Sequence, residues 1–574
     1  MAVPELKNGI EPQRVYGPRG PSTVGGSAVR HDDRMTTGHL FVVNSRVEHL
    51  GWDAAVVPTD GDFDVVPYWA PVLGTRDFGS LRPHGWGRGS AAPSRGGRGV
   101  WFLDVAMTDI DALAAQLRLV LDRIAAQGIV PKDGRALPLV VMPVLGSGAG
   151  GFNHVRGELL VALLDAGKER AETLGIDVAI VAANASAYAA LQSLRSVDRA
   201  TGLDAKQLRH AKALGAKAAS GDLALFLGAG VSMAAGLPSW SRLLRLLTPA
   251  DLDVDGLGAL DHAELLRRHF DEREAGPGPV PQRRRLLGAE VVKRIAGARR
   301  PSLAHALLAG LRCREIVTTN YDDLFERAVA AVVDPQAARA RPAFSTVISV
   351  LPWVRPRPDL PWILKMHGDV RRPESIVLSR RDFVLYDSTW RPVGSVVQSL
   401  MLSRHLLVVG ASLTDDNLLR LAHEVMAFRT ANVDKPEPIG TVLTLEPKRA
   451  AEQLWKNELV HIPVRNRAIS AEPDSARESD TRAAVRALTV FLDAVAVFAA
   501  TDASYLADDR YEGMLSPEEK DAAETARALF VAAQGLATGQ RGSHWQALAD
   551  SLQAFGARKP DRREARYVQT KSQR

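Results

Sequence analysis

Apolar and polar positions fall into two alternating series along the chain. In the first, apolar runs at His39–Val43, Asp53–Val57, Val100–Val105, Leu137–Met142 and Asp177–Val181 predict strands. Helical periodicity at Ile110–Ala126, Val155–Leu174 and Ala187–Leu194 predicts the helices that follow three of them. Strands alternating with helices predict an α/β layer fold over residues 36–200. A helix at Ala205–Ala219 leads into a second series, residues 205–470. Its predicted strands are Leu223–Leu227, Glu315–Thr319, Trp362–Met366, His405–Val409 and Gly440–Leu445. Residues 255–312 carry no strand pattern and read as a helical insertion. Residues 471–574 read as a helical C-terminal region, with helices at Thr481–Phe498, Ser516–Ala533 and Gly542–Phe555. Residues 1–35, rich in Gly, Pro and Arg, read as a flexible arm, and Thr75–Gly99 as a mobile Gly/Arg-rich loop.

Composition narrows the setting. Cys313 is the only cysteine, which excludes an internal disulfide and any multi-cysteine zinc site. The N-terminus lacks a basic-then-apolar leader, and no run reaches the roughly 18 apolar residues of a membrane helix. The expectation is a cytoplasmic protein without membrane contact. The net charge of +6 comes from dispersed arginines without an aromatic stacking pattern, so a nucleic-acid partner is not favoured.

Candidate chemistry collects where strands end. The strand at 223–227 runs into Gly228-Ala229-Gly230-Val231-Ser232, with Gly236-Leu237-Pro238 beyond. Glycines permit a tight turn and close approach to a pyrophosphate, and helix N–H groups can then face its oxygens. Asn320 and Asp322 follow a second strand, His367 and Gly368 a third, and Gly410 and Ser412 a fourth. Open α/β sheets bind ligands at those ends. Each motif alone also fits an Asx turn, a packed histidine or a helix cap.

Taken in order, the motifs resemble the sirtuin family: Gly228–Ser232, Gly236–Pro238, Pro301–His305, Asn320–Asp322, His367–Gly368 and Gly410–Ser412. The resemblance implies a Rossmann-like domain with a parallel sheet, NAD+ as substrate and cleavage of the nicotinamide–ribose bond. On it, Gly228, Ala229, Gly230, Ser232, Pro238, Asp322, Gly410 and Ser412 contact the dinucleotide. Asn320 orients a water, and His367 is the general base. Protein-deacylating sirtuins carry a four-cysteine zinc module that this chain cannot build. Where they have Pro-Asp-Phe-Arg, this chain has Pro238-Ser239-Trp240-Ser241, and their Gln-Asn is Thr319-Asn320 here. These departures resemble bacterial sirtuin-like effectors of anti-phage defence that hydrolyse NAD+, with no metal. The competing expectations are a NAD-dependent deacylase or ADP-ribosyltransferase, and a non-catalytic NAD- or ADP-ribose-binding regulator.

In the first unit, Leu137–Leu160 reads as strand, Gly-rich loop and helix. Together with Trp52–Asp62 it resembles the macro domains, which bind ADP-ribose. That resemblance implies ligand contacts from Asp53, Gly146, Ser147, Gly148, Ala149, Gly150, Gly151 and Phe152. The family's Asn-Ala-Ala-Asn is Val57-Pro58-Thr59-Asp60 here, so the resemblance implies binding rather than ADP-ribosyl hydrolysis. The combined expectation is an abortive-infection effector, switched on by an ADP-ribose-like nucleotide or by homo-oligomeric assembly.

Overall fold

Among the described residues, thirteen strands form two sheets, with helices packed on their faces. The computed structural model describes residues 37–558 apart from 149, 198–201, 274–279, 296, 298–299, 334–346, 412–414, 471–473 and 540, so the expected arm at 1–35 lies outside the described residues. The first sheet contains β1 (Leu40–Asn44), β2 (Ala54–Thr59), β3 (Ala91–Pro93), β4 (Val100–Asp104), β5 (Leu139–Pro143) and β6 (Asp177–Ala182). Their spatial order is β1-β6-β5-β2-β4-β3, parallel except for the β3–β4 pair. The second sheet contains β7 (Leu223–Leu227), β8 (Glu315–Thr318), β9 (Ser349–Leu351), β10 (Trp362–Lys365), β11 (His405–Val409), β12 (Gly440–Thr444) and β13 (Leu459–Pro463). It runs β13-β12-β11-β7-β8-β10-β9 and is parallel throughout. Both are buried on two faces, which is why their strands are continuous apolar runs rather than alternating ones.

Three short strands escape the sequence pattern. β9 and β13 are edges of the second sheet, and β3 is an edge of the first. β3 lies inside the segment expected to be a mobile loop. That segment is anchored by Trp86, which is buried, packs edge-on against Phe63 and Phe102, and donates its indole N–H to the Asp60 carbonyl at 2.8 Å.

The region after residue 470 divides. Helix Asp474–Ala499 packs against helix Ala205–Ala219 and reaches helix Leu303–Gly310, β1 and helix Ala185–Val197. Its Phe491, Leu492 and Val495 share one apolar core with Phe41 and Phe102 of the first sheet and Leu225 and Leu407 of the second. The two units are therefore fused through this helix rather than strung on a linker. Residues 505–515 fold back onto the first unit, where Tyr511 is fully buried beneath Arg156. Helices Pro517–Leu536 and Gly542–Ala554 pack on each other.

Charges lock the fused helix in place. Asp493, 1% exposed, pairs with His39 at 2.8 Å and with the Arg195 guanidinium. Arg486 grips Asp177 with two nitrogens at 2.9 and 2.7 Å. Burial works against the Asp493 carboxylate, but Arg195 and His39 hold it below the usual range. We expect Asp493→Ala to cost about 3 kcal/mol, because it removes the only carboxylate paired with the half-buried Arg195 and with His39 among the described residues. A depressed carboxyl stabilises the fold above its unfolded pKa, and that contribution disappears as pH falls through the folded value. Thermal unfolding should therefore show a gap between wild type and variant at neutral pH that narrows in acid.

Candidate active site

The second sheet builds outward from β7 through β8 to β10 and β9, then returns to set β11 on the other side of β7. This is a topological switch point, where neighbouring loops leave in opposite directions and a crevice opens. The loops after β7 and β11 interlock there. A Cβ on Gly228 would lie 2.6 Å from the Ala411 Cα, and one on Gly230 2.8 Å from the Gly410 Cα. Gly410 itself has φ +71°, and a Cβ there would lie 2.6 Å from the Val231 nitrogen. The Gly228 and Gly230 N–H groups donate to the Val409 and Gly410 carbonyls, both at 2.9 Å. This corrects the expected reason for the glycines. Gly228 and Gly230 admit the neighbouring backbone, and their N–H groups are already committed to it.

Beside the interlock lies a cavity of about 600 Å³. Gly228, Ala229, Gly230, Ser232, Pro238, Asn320, Asp322, His367 and Gly410 all line it. Ser412 lies outside the described residues. The remaining walls are mostly apolar, including Phe226, Met233, Leu237, Trp240 and Phe383, with Ser239, Ser241, Thr319, Asp415 and Asp416 among them.

Asn320 follows the last residue of β8 by two positions. Its Nδ2 donates to the Gly228 carbonyl at 3.1 Å and to Ser232 Oγ at 3.0 Å. A carbonyl accepts only, so the amide orientation is fixed. Ser232 Oγ in turn donates to Asp322 Oδ2 at 2.8 Å, while Asp322 Oδ1 accepts the Leu324 N–H at 3.1 Å. Asn320 Oδ1 is buried and has no hydrogen-bond partner among the described residues. A buried acceptor in that condition is costly unless a ligand or water meets it.

His367 is 6% exposed and packs edge-on against Phe383 and Tyr386. Its Nε2 faces Asp415 Oδ2 at 3.1 Å. Asp415 also caps helix Asp416–Asn432, accepting the Asn417 and Leu418 N–H groups at 3.0 and 3.1 Å. Burial raises the Asp415 carboxyl, but His367 and the two N–H groups outweigh it and hold it below the usual range. Sequence reasoning missed Asp415. The available signal was an Asp directly before an apolar helical run, which is an N-cap pattern. His305 is fully enclosed and takes no part in the cavity lining. Burial drives it down to about 4 against the pull of Asp322, and its Nδ1 accepts the Ser302 N–H at 3.2 Å.

A second cavity, of about 480 Å³, opens in the first unit. β2 pairs with β5 only at Ala54 and Ala55 but with β4 as far as Thr59. Pro58 lacks an N–H for the β5 side, so the two strands part and leave space at their C-terminal ends. Gly146, Ser147, Gly148 and Gly150 line it, with Arg46, Thr59, Trp69, Arg156 and Asn184. Thr59 Oγ1 is buried without a partner among the described residues. Ala149 lies outside the described residues. Three expected contacts, Asp53, Gly151 and Phe152, do not line it. Asp53 precedes β2, at the opposite end of the strand from the cavity, and its carboxylate is consumed by Arg135 and by the Lys132 and Leu139 N–H groups. Phe152, after Gly151, turns into the core beside Leu113 and Leu159.

Among the described residues, no group of three or more His, Cys, Asp or Glu side chains is placed to hold a metal ion, and no helix is long and apolar enough to cross a membrane. Residues 314–462 match the SIR2-like domain family, so the second unit carries a SIR2-like domain. Over 198 residues the chain is 29% identical to the NAD(+) hydrolase ThsA of Acinetobacter baumannii, covering 34% of this chain and 38% of that protein. Over 209 residues it is 28% identical to the NAD(+) hydrolase ThsA of Enterococcus faecium, covering 36% and 40%. Over 231 residues it is 24% identical to Defense-associated sirtuin 2 of Bacillus subtilis, covering 39% and 21%. The match thus spans at most two-fifths of these relatives' length.

The two Gly-rich loops should respond oppositely to a methyl group. Gly410→Ala adds a Cβ at positive φ against backbone, and we expect a loss of about 1 kcal/mol or more. A Cβ on Gly148 meets nothing within 4 Å. Gly148→Ala should therefore stay within about 0.5 kcal/mol of wild type in thermal unfolding.

Proposed function

We propose that the cavity beside the β7–β11 interlock binds NAD+ and hydrolyses its nicotinamide–ribose bond. The observation that carries this reading is Asn320: its amide nitrogen is tied to the protein, while its buried Oδ1 has no partner among the described residues. That oxygen accepts a hydrogen bond from a water and orients it toward the anomeric carbon. His367 Nε2–H faces Asp415, so Nδ1 is the nitrogen left to accept a proton. As the glycosidic bond breaks, its electron pair leaves with nicotinamide and the ribose gains oxocarbenium character. Water adds to the anomeric carbon and gives up a proton to His367, directly or through a ribose hydroxyl. The balance is NAD+ and water to ADP-ribose, nicotinamide and a proton. Asp415 stabilises the imidazolium that forms. Positioning and fixed dipoles supply the catalysis. The activity of the ThsA relatives supports the reaction, and Asn320, Asp322, His367 and Gly410 lie within the SIR2-like segment 314–462.

The finer reading is a defence effector held in check until an ADP-ribose-like nucleotide fills the first-unit cavity or the chain self-assembles. A ligand shifts an equilibrium only through unequal affinity for two states. The joint between the units offers a place for that difference. Arg46 lines the first cavity and pairs with Glu48 at 3.5 Å. Two residues beyond His49, the Gly51 N–H donates to the Pro301 carbonyl of the second unit at 2.9 Å, and Arg300 lies over the Trp52 ring.

Purified wild type should release nicotinamide from NAD+, with ADP-ribose as co-product by chromatography. His367→Ala should slow release by about 10²–10⁴-fold, and Asn320→Ala should abolish detectable turnover. An Asn320→Ala protein consuming NAD+ at the wild-type rate would overturn the assignment. For the gate, added ADP-ribose should accelerate wild type, and Gly148→Trp with Gly150→Trp should remove that stimulation. Stimulation that survives the double substitution would place the gate elsewhere.

A further inference from the structure

Beneath the active-site cavity lies a buried ionic cluster that the proposed reaction does not use. Lys365, the last residue of β10, is 0% exposed. Its Nζ lies 2.8 Å from Glu326 Oε1 and 3.5 Å from Asp369 Oδ2, and it donates to the backbone carbonyl of Asp322. Glu326 is 0% exposed and Asp369 2%. Burial alone would strip the lysine of its charge, but the two carboxylates hold it protonated. Burial in turn pushes Glu326 upward, with Lys365 pulling it back.

We propose that Lys365 is a positioning residue, whose single ammonium fixes the Asn320 loop and the His367 loop relative to each other. The proposal rests on the hydrolase reading for its catalytic consequence. Three separate segments converge on that ammonium. The Asp322 carbonyl belongs to the loop after β8. The same residue's carboxylate accepts from Ser232, and Ser232 in turn accepts from the Asn320 amide. Glu326 belongs to helix Leu324–Val333, which follows that loop directly. Asp369 belongs to the loop after His367, and its Oδ1 accepts the Arg371 N–H at 2.8 Å. The register places Lys365 beside Thr318 of β8, so the tie crosses between neighbouring strands where both leave the sheet. Neither Glu326 oxygen nor Asp369 Oδ2 has a hydrogen-bond partner among the described residues, so the charge of the ammonium, 2.8 Å from Glu326 Oε1 and 3.5 Å from Asp369 Oδ2, is what meets these carboxylates.

A purely structural lysine would only neutralise two buried carboxylates. A positioning lysine also holds a distance, and misplacement by about 1 Å costs on the order of 10²-fold in rate. The two roles separate in the triple variant Lys365→Met, Glu326→Gln, Asp369→Asn, which removes the ammonium and both carboxylates together. Lys365→Met alone should unfold at lower temperature and turn over slowly. The triple variant should recover most of the lost Tm, yet keep kcat about 10²-fold below wild type, with KM for NAD+ little changed. Its amide hydrogen exchange should quicken together in residues 319–323 and 366–371. Recovery of kcat along with Tm would overturn the proposal and leave Lys365 a structural charge. If wild type released no nicotinamide with or without added ADP-ribose, the hydrolase reading would fail instead. Hydrogen exchange would then decide the tie alone, with unchanged protection in those two segments contradicting it.

Discussion

Two backbones meet without side chains between them, and the second unit depends on that contact. The chain crosses from one half of the second sheet to the other at β7 and β11, and the loops leaving those strands occupy each other's Cβ positions at Gly228, Gly230 and Gly410. Any larger residue there would push β7 and β11 loops apart. The Gly228 carbonyl would move with its loop, and it is one of the two acceptors that hold the Asn320 amide. The interlock therefore sets the position of a side chain on a third strand.

From that point the site is arranged by hydrogen-bond economy. Asn320 donates both ways into the protein, and its Oδ1 is buried without a partner among the described residues. His367 Nε2 lies 3.1 Å from a carboxylate that also caps a helix, an ion-pair contact outside hydrogen-bond geometry, so one aspartate sits against both the ring and the helix start. Under the floor, Lys365 contacts both loops that carry these residues. The described lining contains aspartates but no lysine or arginine. A dinucleotide there would rely on backbone dipoles and apolar contact rather than on cationic side chains, in keeping with a substrate that must be released as two products.

Much of this was legible in the chain. Ten strands and their alternation with helices follow from apolar runs, because both sheets are buried on two faces and each strand reads as an uninterrupted block. The four strand-end motifs converge as their order implied, with Ser412 outside the described residues. What escaped had a physical reason each time. β3 and β9 have three residues each, and β13 is a partly exposed edge broken by His461 and Pro463; none offers a period to detect. Asp53 looked like a ligand contact because sequence does not reveal which end of a strand faces a cavity, and Arg135 lies 82 residues away. Phe152 looked like a pocket wall and is core. Residues 471–574 read only as a helical C-terminal region, yet the apolar face of helix Asp474–Ala499 completes a core shared by both units. Long-range partners decide such cases, and neither periodicity nor spacing carries them.

The central claim is that this interlocked crevice holds NAD+ with its scissile bond between Asn320 and His367. The most direct test is a crystal structure of the Asn320→Ala protein soaked with NAD+. The account predicts intact NAD+ in the cavity beside Gly228 and Gly410, with the anomeric carbon of the nicotinamide ribose between residue 320 and the His367 ring. Density for NAD+ only in the first-unit cavity, or with the nicotinamide ribose turned away from both residues, would contradict it.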